Sequence, residues 1–127
     1  MISVRIPYDK DFEYKKCRSM YRKYQKKIGD DQAFKDIIAD DFFYSFYIDD
    51  ELIGAIYCFL RNENLFLNGF GTRGHHEENI ICMKRVLSWF NCDIYAESIR
   101  KPAILCLLRA GFKKFKDNTY IYKNKGG

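Results

Sequence analysis

The 127-residue sequence lacks any long hydrophobic run, any Cys-x-x-Cys pair and, with two prolines, any proline-rich linker. No apolar stretch approaches the roughly 20 residues that a membrane-spanning helix needs, so we expect no membrane association. The five cysteines are dispersed, which favours reduced thiols packed as small hydrophobic side chains over disulfides. The first residues lack the layout of a signal peptide, and we therefore expect a cytoplasmic protein.

The composition is that of an ordinary globular chain, with 47% hydrophobic and 31% charged residues. The length predicts one domain over residues 1–127. The net charge of +5 is modest, but basic residues concentrate on the first predicted helix. Such a stripe could contact nucleic acid or an anionic ligand, or it could be the solvated face of an amphipathic helix. We favour the solvated face and do not expect nucleic-acid binding, because the tyrosines of this helix lie on the stripe that should be buried. The basic residues are Lys15, Lys16, Arg18, Arg22, Lys23, Lys26 and Lys27.

Hydrophobic periodicity predicts the element order β-α-α-β-β-β-α-β-α-β-β. Gly29 should end the first helix and Gly111 the last one, while Asp31 is positioned to cap the second. This order predicts an α/β (mixed α+β) domain with a central, mostly antiparallel mixed sheet of about seven strands and helices on both faces. The predicted strands are Ser3–Ile6, Phe42–Ile48, Leu52–Leu60, Leu65–Gly71, Asp93–Ala96, Phe112–Phe115 and Tyr120–Tyr122. Two of the predicted helices are Glu77–Phe90 and Pro102–Ala110.

Two glycines, Gly69 and Gly71, lie inside the predicted fourth strand. Glycine in a strand interior marks either a β-bulge or a place where another group approaches the backbone closely. The sequence leaves both interpretations open.

The stretch from Asp93 to Lys114 combines a short strand, a bend, an amphipathic helix that ends at Gly111, and a departing strand. This pattern, together with the element order, resembles the GNAT superfamily, whose members transfer an acetyl group from acetyl-CoA to an amine. In architecture the resemblance spans nearly the whole chain, and in motif it runs from about Leu52 onward. It implies a GNAT fold, acetyl-CoA as the acyl donor, and a small-molecule or protein amine as the acceptor. A homodimer is compatible with the sequence.

The resemblance places CoA where the fourth strand meets the following helix, with the pyrophosphate at the free N–H groups of the helix start. The matching segment is Gly71–Glu78, in which Arg73-Gly74 resembles the family's opening Arg-Gly. His76 and Glu78 stand where the family has further glycines. Either CoA binds along a slightly altered path, or the protein keeps the fold without the cofactor. The implied cofactor-binding residues are Phe70, Gly71, Arg73, Gly74, His75, His76 and Glu77.

The resemblance also shows what the catalytic site lacks. Many family members carry a tyrosine that acts as the general acid four residues before the motif glycine, and here that position is Leu107. Acetyl transfer needs a base for the amine and an acid for the CoA thiolate. The substitutes that the sequence offers are Glu97 as the base and Tyr95 or Tyr57 as the acid.

The run of histidines and glutamates from His75 to Glu78 suggests a metal site at first sight. Adjacent residues at a helix start point in different directions, and the sequence contains no third histidine to complete a site. We therefore expect no metal.

A second hypothesis is a catalytically inactive GNAT-like structural or binding protein, for example a phage-encoded or virion-associated one. The altered cofactor loop and the missing tyrosine favour it. Such a protein should fill the cofactor slot with its own side chains, His76 or Phe70 being the candidates.

Overall fold

Seven strands form one mixed sheet, flanked by four helices, in a computed structural model that describes residues 1–124. The last three residues of the predicted domain lie outside the described part. The strands are β1 (Ile2–Arg5), β2 (Phe42–Ile48), β3 (Glu51–Arg61), β4 (Asn64–Gly71), β5 (Ile94–Glu97), β6 (Lys113–Lys116) and β7 (Thr119–Tyr122). The helices are α1 (Tyr14–Ile28), α2 (Phe34–Asp40), α3 (His76–Leu87) and α4 (Lys101–Ala110).

The strand order is β1-β2-β3-β4-β5-β7-β6, and every neighbouring pair is antiparallel except β4 and β5, which are parallel. This arrangement confirms the predicted fold class and element order. Among residues 1–124, no helix is both long and apolar enough to cross a membrane.

Each face of the sheet carries its own apolar core. On one face, α3 and α4 cover a cluster that includes Val86, Ile94 and Leu107. On the other face, α1 and α2 cover a smaller, more aromatic cluster around Tyr21 and Phe43. Since fully burying one large apolar side chain contributes roughly 1.5–3 kcal/mol, these two cores hold the helices on their faces.

The helix ends follow local chemistry at two of the three predicted positions. Gly29 and Gly111 adopt left-handed conformations, with φ of 69° and 110°, and cap α1 and α4 as predicted. The prediction for Asp31 is wrong, because α2 begins at Phe34 and its first turn has no side-chain cap. The neighbouring Asp30 instead accepts a hydrogen bond from the N–H of Gln32, 2.9 Å away.

The glycines of β4 mark a place where other groups approach the strand backbone closely, and not a β-bulge. The register between β3 and β4 is continuous from Gly54 opposite Gly71 to the hairpin end, so the bulge interpretation is wrong. A Cβ on Gly71 would lie 2.5 Å from Nδ2 of Asn79 in α3. A Cβ on Gly54 would lie 2.5 Å from Oδ1 of the same residue and 2.8 Å from the carbonyl oxygen of Phe70.

The Asn79 side chain therefore packs α3 directly against Gly54 and Gly71. Its Nδ2 donates a hydrogen bond to the carbonyl oxygen of Ile53, at 3.2 Å, which ties the start of the helix to β3. The close contact fixes the position of the segment that joins β4 to α3.

Two substitutions test this contact. Gly54→Ala should destabilise the fold by about 2–3 kcal/mol, because the new methyl group meets a backbone oxygen that cannot move away. Gly71→Ala should cost about 1 kcal/mol, because the flexible Asn79 side chain can rotate and lose its hydrogen bond. Urea denaturation measures both values.

The Asn79→Ala background provides the control. There the cost of Gly71→Ala should fall close to zero, while Gly54→Ala keeps most of its cost. An unchanged cost of Gly71→Ala in that background would show that Asn79 is not the obstacle.

Candidate functional site

The two central parallel strands pair over a short distance and then part. β4 pairs with β5 at Leu65 opposite Ile94 and at Phe66 opposite Tyr95. Residues 67–71 of β4 continue without a strand partner on that side within the described part of the chain. Backbone N–H and C=O groups need hydrogen-bond partners. The unpaired side of this stretch can therefore bind an extended ligand, which would pair with β4 in the way that an additional strand does.

The parted strands open toward the loop that begins α3. Gly74 in this loop has a φ of +87°, a conformation that glycine adopts without the steric cost of a Cβ. His75 precedes the helix and provides no side-chain cap. The N–H groups of the first turn have no intrahelical partner, and together with the helix dipole they favour an anion. Arg73 is exposed beside them.

Side chains of this loop contact β3 and α4. His75 lies 3.4 Å from Glu51, nitrogen to oxygen, at the start of β3. His76 Nδ1 lies 3.4 Å from the thiol of Cys106 in α4. The first turn of α3 is therefore linked to a neighbouring helix as well as to the sheet.

Glu77 forms an ion pair with Arg109 of α4. The hydrogen bond from the Arg109 guanidinium lowers the pKa of the Glu77 carboxyl below its usual value. Of the two glutamates at the helix start, Glu77 and Glu78, the charge of Glu77 is thus offset by a positive one. No local pattern in the sequence marks Arg109, because this contact depends on how α3 and α4 pack.

Phe70 does not project its ring into the opening. The ring stacks on Tyr24 of α1, with centroids 6.1 Å apart and planes 18° from parallel, and it also packs on Tyr21. The backbone of Phe70 remains in the unpaired stretch of β4.

The two predicted catalytic residues lie on β5 at the edge of the opening. The Glu97 carboxylate accepts a hydrogen bond from Arg61, 2.6 Å away, and the guanidinium of Arg61 stacks 3.9 Å above the ring of Phe66. The Tyr95 ring packs between Phe66 and Phe115, at centroid distances of 5.6 and 5.5 Å. Glu97 is half exposed.

Tyr57, the alternative acid, is fully buried. Its hydroxyl donates a hydrogen bond to Asp30 at 2.5 Å and accepts one from Asn68 at 3.3 Å. Burial, more than the Asp30 contact, raises the pKa of Tyr57 far above its ordinary value, so this proton is not available for a leaving thiolate. Leu107 is buried as well, and it offers no hydroxyl.

The chain of hydrogen bonds from Asn68 through Tyr57 to Asp30 was not identified from the sequence. Its signal in the sequence is Asn68, the one asparagine in the interior of an otherwise apolar strand. Because Asn68 belongs to the unpaired stretch of β4, this polar chain starts at the opening and leads under α1 and α2.

Asp41, between α2 and β2, is a further carboxyl group on the same face of the sheet, and its charged form is disfavoured there. Burial and, next, repulsion by Asp30 and Asp40 raise its pKa to about 6. One of its oxygens has no hydrogen-bond partner within residues 1–124. In the described part of the chain, no group of three or more histidine, cysteine, aspartate or glutamate side chains could hold a metal ion.

Solved structures share this architecture. An N-acetyltransferase from Staphylococcus aureus Mu50 superposes with a TM-score of 0.73 at 12% identity, over 97% of both chains. The aminoglycoside acetyltransferase AAC(6')-Ib, in complex with coenzyme A and kanamycin, has a TM-score of 0.69 at 10% identity, over 99% of this chain and 96% of that one. The Campylobacter jejuni N-acetyltransferase PseH, in complex with acetyl coenzyme A, has a TM-score of 0.58 at 11% identity, over 95% and 96%.

No family model matches the sequence, and no curated protein matches it either. At identities this low, the structural likeness establishes the fold alone. The protein has the fold of the GNAT N-acetyltransferases, as the resemblance implied.

The raised pKa of Asp41 leads to a prediction about how the stability of the fold depends on pH. Because the folded-state pKa of Asp41, about 6, exceeds its ordinary value of 3.8, its contribution to stability is present below the ordinary value and is lost as the pH rises through the folded-state value. Asp41→Asn should therefore stabilise the fold at neutral pH by about 1–2 kcal/mol, less than the full shift would give because the side chain is partly exposed. The gain should disappear in acid, below the ordinary pKa.

Urea denaturation across this pH range measures the effect, with Asp36→Asn as the matched control, because Asp36 is exposed and is not among the charges that raise the pKa of Asp41. A gain for Asp41→Asn that is the same at acid and neutral pH would contradict the assigned cause.

Proposed function

We propose that this protein is an N-acetyltransferase that moves an acetyl group from acetyl-CoA to an amine. The observation that carries the proposal is the parting of β4 from β5 directly before the uncapped start of α3. An extended ligand arm thereby has a binding position along β4, and an anion has one directly beside it at the start of α3. The shared fold with N-acetyltransferases supports the same conclusion.

The backbone of Gly71 would pair with the pantetheine arm, since it lies in the unpaired stretch of β4 and faces the opening, whereas the N–H and C=O groups of the neighbouring Phe70 face Ala55 of β3. Arg73 and the N–H groups from Gly74 to Glu77 would bind the pyrophosphate. The positive φ of Gly74 lets the loop turn there without a Cβ in the way. Arg109 offsets the charge of Glu77, which would otherwise repel the ligand.

In the reaction the amine attacks the carbonyl carbon of the thioester, a C–N bond forms and the C–S bond breaks. Glu97 would take the proton from the amine, after exchanging Arg61 for the substrate or through one water molecule. Tyr95 stands two residues away on the same side of β5 and is the remaining tyrosine for the acid role. A thiolate is a weak base, so water can also supply the proton in place of the missing tyrosine.

One observation favours the second hypothesis, a binding protein without catalysis. The contacts of His76 with Cys106 and of Glu77 with Arg109 cross from the start of α3 to α4. These contacts narrow the approach to the helix start. Nothing in the comparisons connects the chain with a phage or a virion.

Acetyl-CoA binding separates the two hypotheses. At about a hundred times its Kd, a ligand stabilises the folded state by roughly 2.7 kcal/mol, which a thermal-shift assay detects readily. Arg73→Ala should weaken binding about tenfold in calorimetry, because a charge-assisted contact to the pyrophosphate is lost. Arg85→Ala, at the exposed far end of α3, is the matched control and should bind normally. The absence of any shift at millimolar acetyl-CoA would end the acetyltransferase hypothesis.

Glu97→Gln tests the catalytic role separately. Across a panel of amines, with release of the free CoA thiol as the readout, the variant should lose about 10²- to 10⁴-fold in kcat and keep its affinity for acetyl-CoA. Glu63→Gln, exposed in the β3–β4 turn, should keep full activity. A fully active Glu97→Gln enzyme would assign the base elsewhere.

A further inference from the structure

A groove of about 690 Å³ lies between α1 and the ends of β3 and β4. Its size falls within the range of roughly 300–1,000 Å³ that is usual for small-molecule sites. The groove is open along one side and is lined mainly by α1. The lining residues are Lys15, Lys16, Ser19, Met20, Lys23, Tyr24, Glu51, Leu52 and Thr72.

The lining combines an apolar floor with a basic rim. Lys15 and Lys23 form no ion pair within residues 1–124, while Lys16 pairs with Glu13 at 2.9 Å. The sequence of α1 contains seven basic residues and no acidic one. An anion in this groove would therefore meet uncompensated positive charge.

The aromatic part of the floor is held in place. Tyr24 stacks on Phe70, and the ammonium groups of Lys23 and Lys27 lie 5.5 and 5.8 Å from its ring centroid. A ring or other flat group of a ligand can pack beside this tyrosine while its charged group meets the lysines.

The groove adjoins the opening between β4 and β5. Thr72 lines it and is followed directly by Arg73 of the proposed pyrophosphate loop. Glu51, the acidic lining residue, lies within 3.4 Å of His75 from the same loop. Phe70, which supports Tyr24, belongs to the unpaired stretch of β4. A ligand in the groove thus lies beside the proposed pyrophosphate loop, and the amine of an acceptor bound there would extend past Phe70 along the unpaired stretch of β4 toward Glu97.

We infer that this groove binds the phosphate-bearing part of a small-molecule amine acceptor. Lysine ammonium groups bind phosphate as point charges, and the two on this rim that form no ion pair within residues 1–124, Lys15 and Lys23, suit a dianion. The volume and the acidic Glu51 in the lining favour a small molecule over a nucleic acid, which needs a long basic track. The role as acceptor site rests on the proposed acetyl transfer, whereas the binding of a phosphate ester does not.

Glucosamine 6-phosphate and glucosamine form a matched pair of probes, since both carry an amine and one carries the phosphate. Binding is followed without acetyl-CoA by amide chemical shifts of the full-length chain. Glucosamine 6-phosphate should shift the amides of α1 and Thr72 in a saturable way. Glucosamine should bind at least about tenfold more weakly, because the charge-assisted contacts are absent.

Two double variants of α1 with equal change in net charge locate the site. Lys15→Gln with Lys23→Gln removes two rim lysines and should weaken binding of the sugar phosphate about tenfold or more. Arg22→Gln with Lys26→Gln removes two exposed charges outside the groove and should weaken it by about twofold at most, through long-range attraction alone. Equal losses in both variants, equal binding of the two sugars, or no saturable shift at millimolar sugar phosphate would overturn the inference.

A short DNA duplex provides the competing outcome. If the duplex displaces glucosamine 6-phosphate and both double variants weaken the duplex alike, the basic face is a nucleic-acid surface and the inference fails. Because none of these measurements uses acetyl-CoA, a failure of the proposed acetyl transfer would be seen separately, in the acetyl-CoA titration.

Discussion

The parting of β4 from β5 after two paired residues is the constraint on which the rest of the site depends. β4 is held to β3 along its whole length and is held to α3 by the contact of Asn79 with Gly54 and Gly71. β5 is held to β7 over four residue pairs. Each central strand thus belongs to its own half of the sheet, and the halves meet along a short parallel seam. The opening follows from this division, as does the position of the helix start at its end.

The fold could be predicted from the sequence because its signals are local. Periodicity marks the helices and strands, and the left-handed conformations of Gly29 and Gly111 end two helices by backbone geometry alone. The failures occur where local signals have two meanings. A glycine in a strand is equally typical of a β-bulge and of a place where another group approaches the backbone closely. Asn79 of α3, which is distant in sequence, decides between the two. Asp31 is a suitable cap by residue type, yet the helix begins further along.

The candidate site divides in the same way. The segment from Phe70 to Glu77 could be proposed from the sequence because it is continuous and its role depends on one strand end and one helix start. Arg109 and the Asn68–Tyr57–Asp30 chain could not, since packing between distant elements brings these groups together. The helical pattern of α1 predicts a solvated face for its lysines, because it shows which residues share a side and not what lies opposite them. The structure places a groove there.

The central claim is that the unpaired stretch of β4 and the start of α3 form one binding site for acetyl-CoA. Amide hydrogen exchange, measured with and without saturating acetyl-CoA, tests it at the level of single backbone groups. The account predicts strong added protection at Gly69 and Gly71, whose N–H groups face away from β3, and at residues 74–78 of the helix start, because these free N–H groups gain partners, with little change in β1 and β2. Binding that protects other parts of the chain and leaves both of these segments unchanged would contradict it.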